Sequence, residues 1–270
     1  MPKVTSLELR EFLFAPVEGR AFRFAISARE AGVFSGAASL ARHAAELGLE
    51  VLFTAGEGSF LTPGTAVLVA RGDAERVARA EEMLVGLIGK TSGVATAAAA
   101  MVRRAGNTKV VCGAWKKVAQ AVRPELRQAI ATGGAAIRIS DEPFTYLDKN
   151  YVRMLGGIGK AVDRAKSYDA ERLVVVQLRG NGRSVAEEAE AAAAAGAAVV
   201  MIDTGDLADL RAAVGAAEAA GWRKRVRLAF GGGVTLQNVS EVAAAGADVV
   251  DVGRAIIDAP MLDFSLDLED

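Results

Sequence analysis

Cysteine is all but absent: Cys112 is the only one in 270 residues. An intrachain disulfide and a cysteine-ligated zinc site are therefore excluded, and a reducing cytoplasm is the expected setting. Histidine is equally scarce. His43 lies in SLARHAAELG, a helical pattern that places no acidic or nucleophilic partner beside it, so a structural or surface role is expected of it. The chain also lacks an excess of charge of either sign, with 32 Lys and Arg against 33 Asp and Glu. That balance gives no electrostatic footprint for nucleic acid or an acidic membrane surface, and a small-molecule partner is expected instead. The opening MPKVTSLELREF has no long apolar run. No later uncharged stretch of about 18 residues is free of helix-ending glycines, so neither a signal peptide nor a membrane span is expected.

What is present is apolar mass, 51% of the residues, enough to bury a full core at this length. Up to about Gly93 the pattern is irregular, with short strands at Phe22 to Ser27, Glu50 to Ala55 and Ala66 to Ala70 around a helix from Gly36 to Leu47. Beyond it, strands and helices alternate, the sign of a parallel sheet. Seven strands are expected: Lys109 to Cys112, Ala136 to Ile139, Thr145 to Leu147, Leu173 to Gln177, Val199 to Ile202, Arg227 to Ala229 and Val249 to Val252. The Ala-rich tract from Ala189 continues an amphipathic helix that begins at Val185 and ends at Gly196. This gives an α+β domain over residues 1–93 and an α/β barrel over 94–270, whose C-terminal tail is free to return to the first domain.

Two features favour a barrel over an open sheet. FGGGVT, Phe230 to Thr235, lies between a strand and a helix, and DVGRAI, Asp251 to Ile256, follows the next strand. Loops after the last two strands of such barrels commonly hold a phosphate. Glycines let backbone N–H groups approach an anion, and the helix that follows adds partial positive charge. Gly231, Gly232, Gly233 and Gly253 are therefore the candidate phosphate residues, against the plainer reading that they only make tight turns.

The order of these segments resembles the quinolinate phosphoribosyltransferases, also called nicotinate-nucleotide pyrophosphorylases. AREAGVFSGAASLARHAAELGLEV and GEGSFLTPGTAVL resemble that family's small domain, and Ser92 to Thr96 a signature at its junction with the barrel. GGAAIR, VMID, FGGGVTLQNV, AGADVVDVG and LDFSLDLED follow in the family's order. The resemblance implies an open seven-stranded, TIM-like α/β barrel of the type II phosphoribosyltransferases and a homodimer, or an assembly of dimers, in which one small domain covers the partner's barrel. It further implies phosphoribosyl diphosphate as co-substrate, Mg2+ as helper, and release of diphosphate and carbon dioxide as quinolinate becomes nicotinate mononucleotide. By the same resemblance Lys116 falls where a lysine contacts phosphoribosyl diphosphate, and Asp203 where an aspartate lies near ribose and metal.

Other positions depart from the family pattern. Arg138 is kept, but Trp115 stands where an arginine binds a substrate carboxylate, and Ile137 where a histidine precedes Arg138. Asp148, Lys149 and Asn150 stand where the family has a lysine, aspartate and asparagine, so the lysine is displaced by one place or absent; on a strand that slip would turn it to the opposite face. Glu82 takes the place of an arginine from the neighbouring subunit, and Gln177 that of a barrel glutamate. A dicarboxylate demands cations, and this set removes them. Three readings follow. The first is a divergent phosphoribosyltransferase with a changed acceptor, in which Trp115 stacks on a flat ring and Arg138 holds one carboxylate; packing in the core is the alternative for Trp115. The second is the parent reaction, with quinolinate held by Arg79, Arg153 or Arg179. The third is a catalytically silent protein that still binds a phosphorylated ligand.

Overall fold

The computed structural model describes residues 9–269. Its strands, in chain order, are β1 (Phe22–Ala28), β2 (Gly32–Val33), β3 (Glu50–Thr54), β4 (Phe60–Leu61), β5 (Ala66–Gly72), β6 (Lys109–Val111), β7 (Phe144–Leu147), β8 (Leu173–Leu178), β9 (Val199–Ile202), β10 (Arg227–Gly231), β11 (Val249–Asp251) and β12 (Phe264–Glu269). Contacts divide the chain into two compact units, one of residues 1–97, 124–133 and 259–270, the other of 98–123 and 134–258.

The first unit is an antiparallel sheet in the order β12-β1-β5-β3. The last strand of the chain thus pairs with the first, from Arg23 opposite Glu269 to Ala28 opposite Phe264. Phe24, Ile26 and Ala28 alternate inward along β1, with Val67, Leu68 and Ala70 from β5, and meet Leu40 and Ala44 of the helix Ala37–Glu46. Glu57 caps that helix by accepting from Gly36 N and Ala37 N at 2.9 and 3.0 Å, and it also accepts from the Thr132 hydroxyl at 2.7 Å. The helix Arg123–Thr132 is thereby tied to this unit although it lies between barrel segments in the sequence. His43 Nδ1 lies 2.8 Å from Ser39 O one turn back, a local helical contact.

The helix Ala74–Ala105 runs unbroken for 32 residues. Gly86, Gly89 and Gly93, expected to end helices, lie inside it, because tertiary packing outweighs the cost of roughly 1 kcal/mol per glycine. Its length and an 18-residue window of mean hydropathy 1.4 match a membrane span, yet half of that window is buried inside the molecule. Leu84 and Ile88 belong to the core of the first unit, so the apolar run is at least in part a packing surface.

The second unit is a parallel sheet in the order β6-β11-β10-β9-β8-β7, covered by helices that return the chain from each strand to the next. Six of the seven expected strands form. Ala136 to Ile139 instead makes a single parallel bridge, Val111 to Ala136, with Cys112 N donating to Ala136 O and Ala136 N to Val110 O, both at 2.9 Å. Ser140, two charged residues and Pro143 follow, and proline has no N–H to offer a ladder. Counting the bridge, seven chain segments surround the interior in sequence order, and β7 ends the ladder on the other side: a TIM-like barrel that does not close. Val111, Ile139, Val175, Val199, Met201, Ala229 and Val249 fill its interior. The Ala-rich helix forms as expected over Val185–Ala195, opened by a Ser184/Glu187 capping box and closed by left-handed Gly196.

Candidate functional site

Strand periodicity builds the site. Val175, Met201 and Val249 point inward, so the residues two places on, Gln177, Asp203 and Asp251, share that face at the C-terminal ends of their strands. Tyr146, two residues after Phe144, joins them from β7. The interior of the barrel is apolar below this mouth and polar at it, and catalytic groups of such barrels are found at this end.

Asp203 is the hub. Arg179 Nη2 lies 2.6 Å from its Oδ2, and Gln177 Nε2 donates to the same oxygen. Gln177 in turn accepts from Lys149 N at 3.2 Å. Arg179, considered from the sequence only as a substitute anchor, is thus brought to the mouth already partnered, which leaves it less free to hold a second carboxylate. Arg153 lies exposed on the helix Lys149–Met154, and Arg79 is an exposed residue of the other unit.

The displaced lysine reads differently in the structure. Residues 148–150 are the start of a helix and not part of a strand, so the argument from strand faces does not apply to them. Asp148 is the N-cap and accepts from Asn150 N at 2.7 Å and Tyr151 N at 3.0 Å. Its charge is satisfied by the helix end it caps, and the expected repulsion of an anionic ligand is correspondingly reduced. Lys149 is exposed at the first helical position. Glu82 lies in the first unit, ion-paired with Arg10 of the same chain.

Trp115 and Lys116 occupy a short 3-10 turn, Ala114–Lys117, after β6. The half-buried Trp115 donates Nε1 to Ile137 O at 3.2 Å. The Ile137 backbone, and not its side chain, is what this contact uses. Arg138 is exposed and its guanidinium sits 5.2 Å from the centroid of the Phe144 ring. Lys116 is exposed, with Nζ 5.6 Å from the centroid of Tyr146.

Both glycine turns lie at the same end of neighbouring parallel strands, since Gly231 is in register with Asp251. Gly231 is the last residue of β10 and accepts from Gly205 N at 3.2 Å, while Gly232 and Gly233 form the turn itself. Gly232 has φ +94°, and a Cβ there would stand 2.7 Å from Gly205 N and 3.0 Å from its Cα. The loops after β9 and β10 are therefore in backbone contact that only glycine permits. Gly253 caps the short helix Arg254–Ile257.

Asp251 and Tyr146 were not singled out from the sequence, although an apolar residue followed two places on by a polar one at a strand end is a legible signal. Asp251 accepts from Gly113 N at 3.3 Å. Burial pushes its carboxyl above the ordinary 3.8, helped by the charge of Asp203 and opposed by the Gly113 N–H, Lys116 and Lys117. An acid whose pKa is raised on folding favours the folded state fully below its unfolded value, and loses that contribution as pH rises through the folded value. Asp251→Asn, which keeps an acceptor for Gly113, is expected to raise the melting temperature at about pH 7.5 and to leave it unchanged at about pH 3. Calorimetric scans at both values check this, and an unchanged or lower melting temperature at the higher pH rejects it.

Among the described residues no group of three or more His, Cys, Asp or Glu converges as a metal cage. The two carboxylates on this face are Asp203, engaged by Arg179 and Gln177, and Asp251, which accepts from Gly113 N.

Comparison with known proteins gives a consistent picture. Residues 94–267 match the model of the quinolinate phosphoribosyl transferase C-terminal domain and residues 11–92 that of its N-terminal domain. The chain is 31% identical over 213 residues to a probable nicotinate-nucleotide pyrophosphorylase [carboxylating] of Archaeoglobus fulgidus, covering 78% of this chain and 80% of that one. It is 32% identical over 248 residues to the human nicotinate-nucleotide pyrophosphorylase [carboxylating], covering 90% and 81%. Among solved structures it resembles the nicotinate-nucleotide pyrophosphorylase of Francisella tularensis, with a TM-score of 0.82 at 22% identity over 96% of this chain and 90% of the other, a likeness of fold.

Proposed function

This chain belongs to the quinolinate phosphoribosyltransferase family, and on that premise we propose that it transfers phosphoribose from phosphoribosyl diphosphate to an aromatic acceptor carrying at most one carboxylate. The observation that carries the proposal is the uneven mouth of the barrel. The half assigned here to phosphate and ribose has two glycine turns side by side, with Asp203 held at the strand end by Arg179 and Gln177. The half left for the acceptor is poor in free cations: by the family resemblance Trp115 stands where an arginine is expected, and Arg179 is engaged by Asp203.

In this reading the turns at Gly232 to Gly233 and Gly253 receive the 5′-phosphate, and Lys116 meets the diphosphate. As the bond from the anomeric carbon to the diphosphate oxygen breaks, its electron pair leaves with diphosphate. The ribose gains positive character, which the Asp203 carboxylate, held still by Arg179 and Gln177, stabilises. The acceptor's ring nitrogen then forms the new bond from the opposite side. Arg138 supplies one carboxylate contact and Trp115 a flat apolar wall. A magnesium ion, if bound with the diphosphate, would add to the neutralisation that Lys116 provides. A homodimer in the cytoplasm is part of the proposal.

Thermal-shift titration with phosphoribosyl diphosphate, nicotinate mononucleotide, quinolinate and aromatic monocarboxylates tests it, because a ligand of the native state raises stability with its affinity and concentration. The expected result is stabilisation by the phosphoribosylated compounds and by a monocarboxylate, with none by quinolinate. Turnover of quinolinate to nicotinate mononucleotide is expected to be very weak, since each lost charge-assisted anchor costs about 1.5–3 kcal/mol, one to two orders of magnitude. Robust saturable turnover would restore the parent reaction. Stabilisation by ligands with no transfer to any acceptor would favour the silent binding protein.

A further inference from the structure

We propose that Tyr146 is a positioning residue whose ring seats the Lys116 ammonium at the barrel mouth, where it meets the anionic end of the phosphorylated substrate. The claim rests on the proposed function for what Lys116 meets, and on geometry alone for what holds Lys116 there. Lys116 is exposed on a turn of four residues, and its flexible four-carbon stem gives the ammonium no fixed place of its own. The Tyr146 ring is fixed. It projects from β7 onto the apolar interior of the barrel, two residues beyond Phe144, and the ammonium lies 5.6 Å from its centroid, within the range of a cation–π contact.

The rest of the mouth shows why a neutral ring serves this purpose. Asp203 is occupied by Arg179 and Gln177, and Asp251 by Gly113 N. A carboxylate in the place of Tyr146 would pair with Lys116 and compete with the incoming phosphates. An aromatic face attracts the ammonium without neutralising it, so the charge stays available to the ligand. The phenol also stays protonated over any working pH, because burial and then the charges of Asp251, Asp203 and Asp148 all push its pKa up. The ring, and not an ionised oxygen, is the active part.

Two substitutions separate the ring from the hydroxyl. Tyr146→Phe keeps the face, and Tyr146→Leu keeps an apolar side chain of strand type without it. In the ligand-free protein, the side-chain methylene resonances of Lys116, assigned by their loss in Lys116→Met, are expected to be shifted upfield by the ring in the wild type and in Tyr146→Phe. In Tyr146→Leu they are expected at ordinary lysine positions. The apparent KM, or the dissociation constant, for phosphoribosyl diphosphate is expected to rise roughly three- to tenfold in Tyr146→Leu and to stay within about twofold in Tyr146→Phe, the span of a partly exposed cation–π contact. In a Lys116→Met background the Leu substitution is expected to add little, since the ring then has nothing to seat. Equal constants for wild type and Tyr146→Leu, or an effect of the Leu substitution that persists in full without Lys116, overturn the proposal. Unshifted Lys116 resonances in the wild type overturn it independently of any ligand. Failure of the wild type to bind phosphoribosyl diphosphate overturns the functional reading, and the resonances then decide the seating of Lys116 by themselves.

Discussion

Gly93→Ala is expected to destabilise the protein by about 3 kcal/mol, at the upper end of what overpacking costs, and to lower its melting temperature by roughly 10 °C. The position is in mid-helix, where alanine ordinarily stabilises by up to about 1 kcal/mol. Here the added Cβ would stand 1.9 Å from Pro260 O and 3.0 Å from the Pro260 carbonyl carbon, which are backbone atoms. The loop around Pro260 cannot retreat cheaply, since Leu262 N donates to Gly89 O at 3.0 Å and Lys90 Nζ to Ala259 O at 2.7 Å on the same helix. Gly86→Ala is the control: nothing lies within 4 Å of its Cβ, so the same change about two turns earlier is expected to raise stability. Chemical denaturation of the two variants measures both signs. A Gly93→Ala protein as stable as the wild type would show that the close approach of helix and loop is wrong.

Gly232→Val is expected to weaken binding of phosphoribosyl diphosphate by about a hundredfold or more, read by titration calorimetry. A Cβ at this position would overlap Gly205 N and Cα, and the left-handed backbone at φ +94° disfavours a β-branched side chain as well. The turn must open, the Gly205 N to Gly231 O bond at 3.2 Å is strained, and the N–H groups proposed to receive the phosphate move apart. Losing two charge-assisted hydrogen bonds corresponds to roughly 3–6 kcal/mol. Gly233→Ala makes the comparison, because its Cβ meets nothing within 4 Å and only the strain of φ +76° applies. Its loss is expected to be about tenfold at most. Equal affinity for wild type and Gly232→Val, with the fold intact, would reject the phosphate cradle.

The seventh strand shows where pattern reading ran out. Ala136 to Ile139 has the composition of a strand and does meet Val111, but its pairing stops after one bridge as the charged residues and Pro143 turn the chain away. The glycines of the long helix misled in the other direction. Glycine marks helix ends by local cost, and at Gly93 a tertiary contact that admits no side chain outweighs that cost.

The site divides in the same way. Lys116, Asp203 and the glycine turns could be marked because each follows a strand in a recognisable order, and Arg138 because it closes the motif GGAAIR. The ion pair of Arg179 with Asp203, the capping role of Asp148 and the ring beneath Lys116 join residues 24, 2 or 3, and 30 positions apart, and only the first and last needed the barrel to bring them together. Asp148 differs for a local reason, since it follows the last residue of β7 directly and a helix start there has the same sequence neighbours as a strand end.

By itself the sequence determined the alternation of strand and helix, the apolar interior, the two glycine turns and the family, because period, turn chemistry and motif order are properties of neighbouring residues. Tertiary structure alone decided which charges are already spent. Whether Arg179 is a free anchor, Asp251 a half-buried acid or Lys116 a seated cation depends on what parallel strands place side by side, and charges separated widely in the chain acquire their energies only at the distances that folding sets.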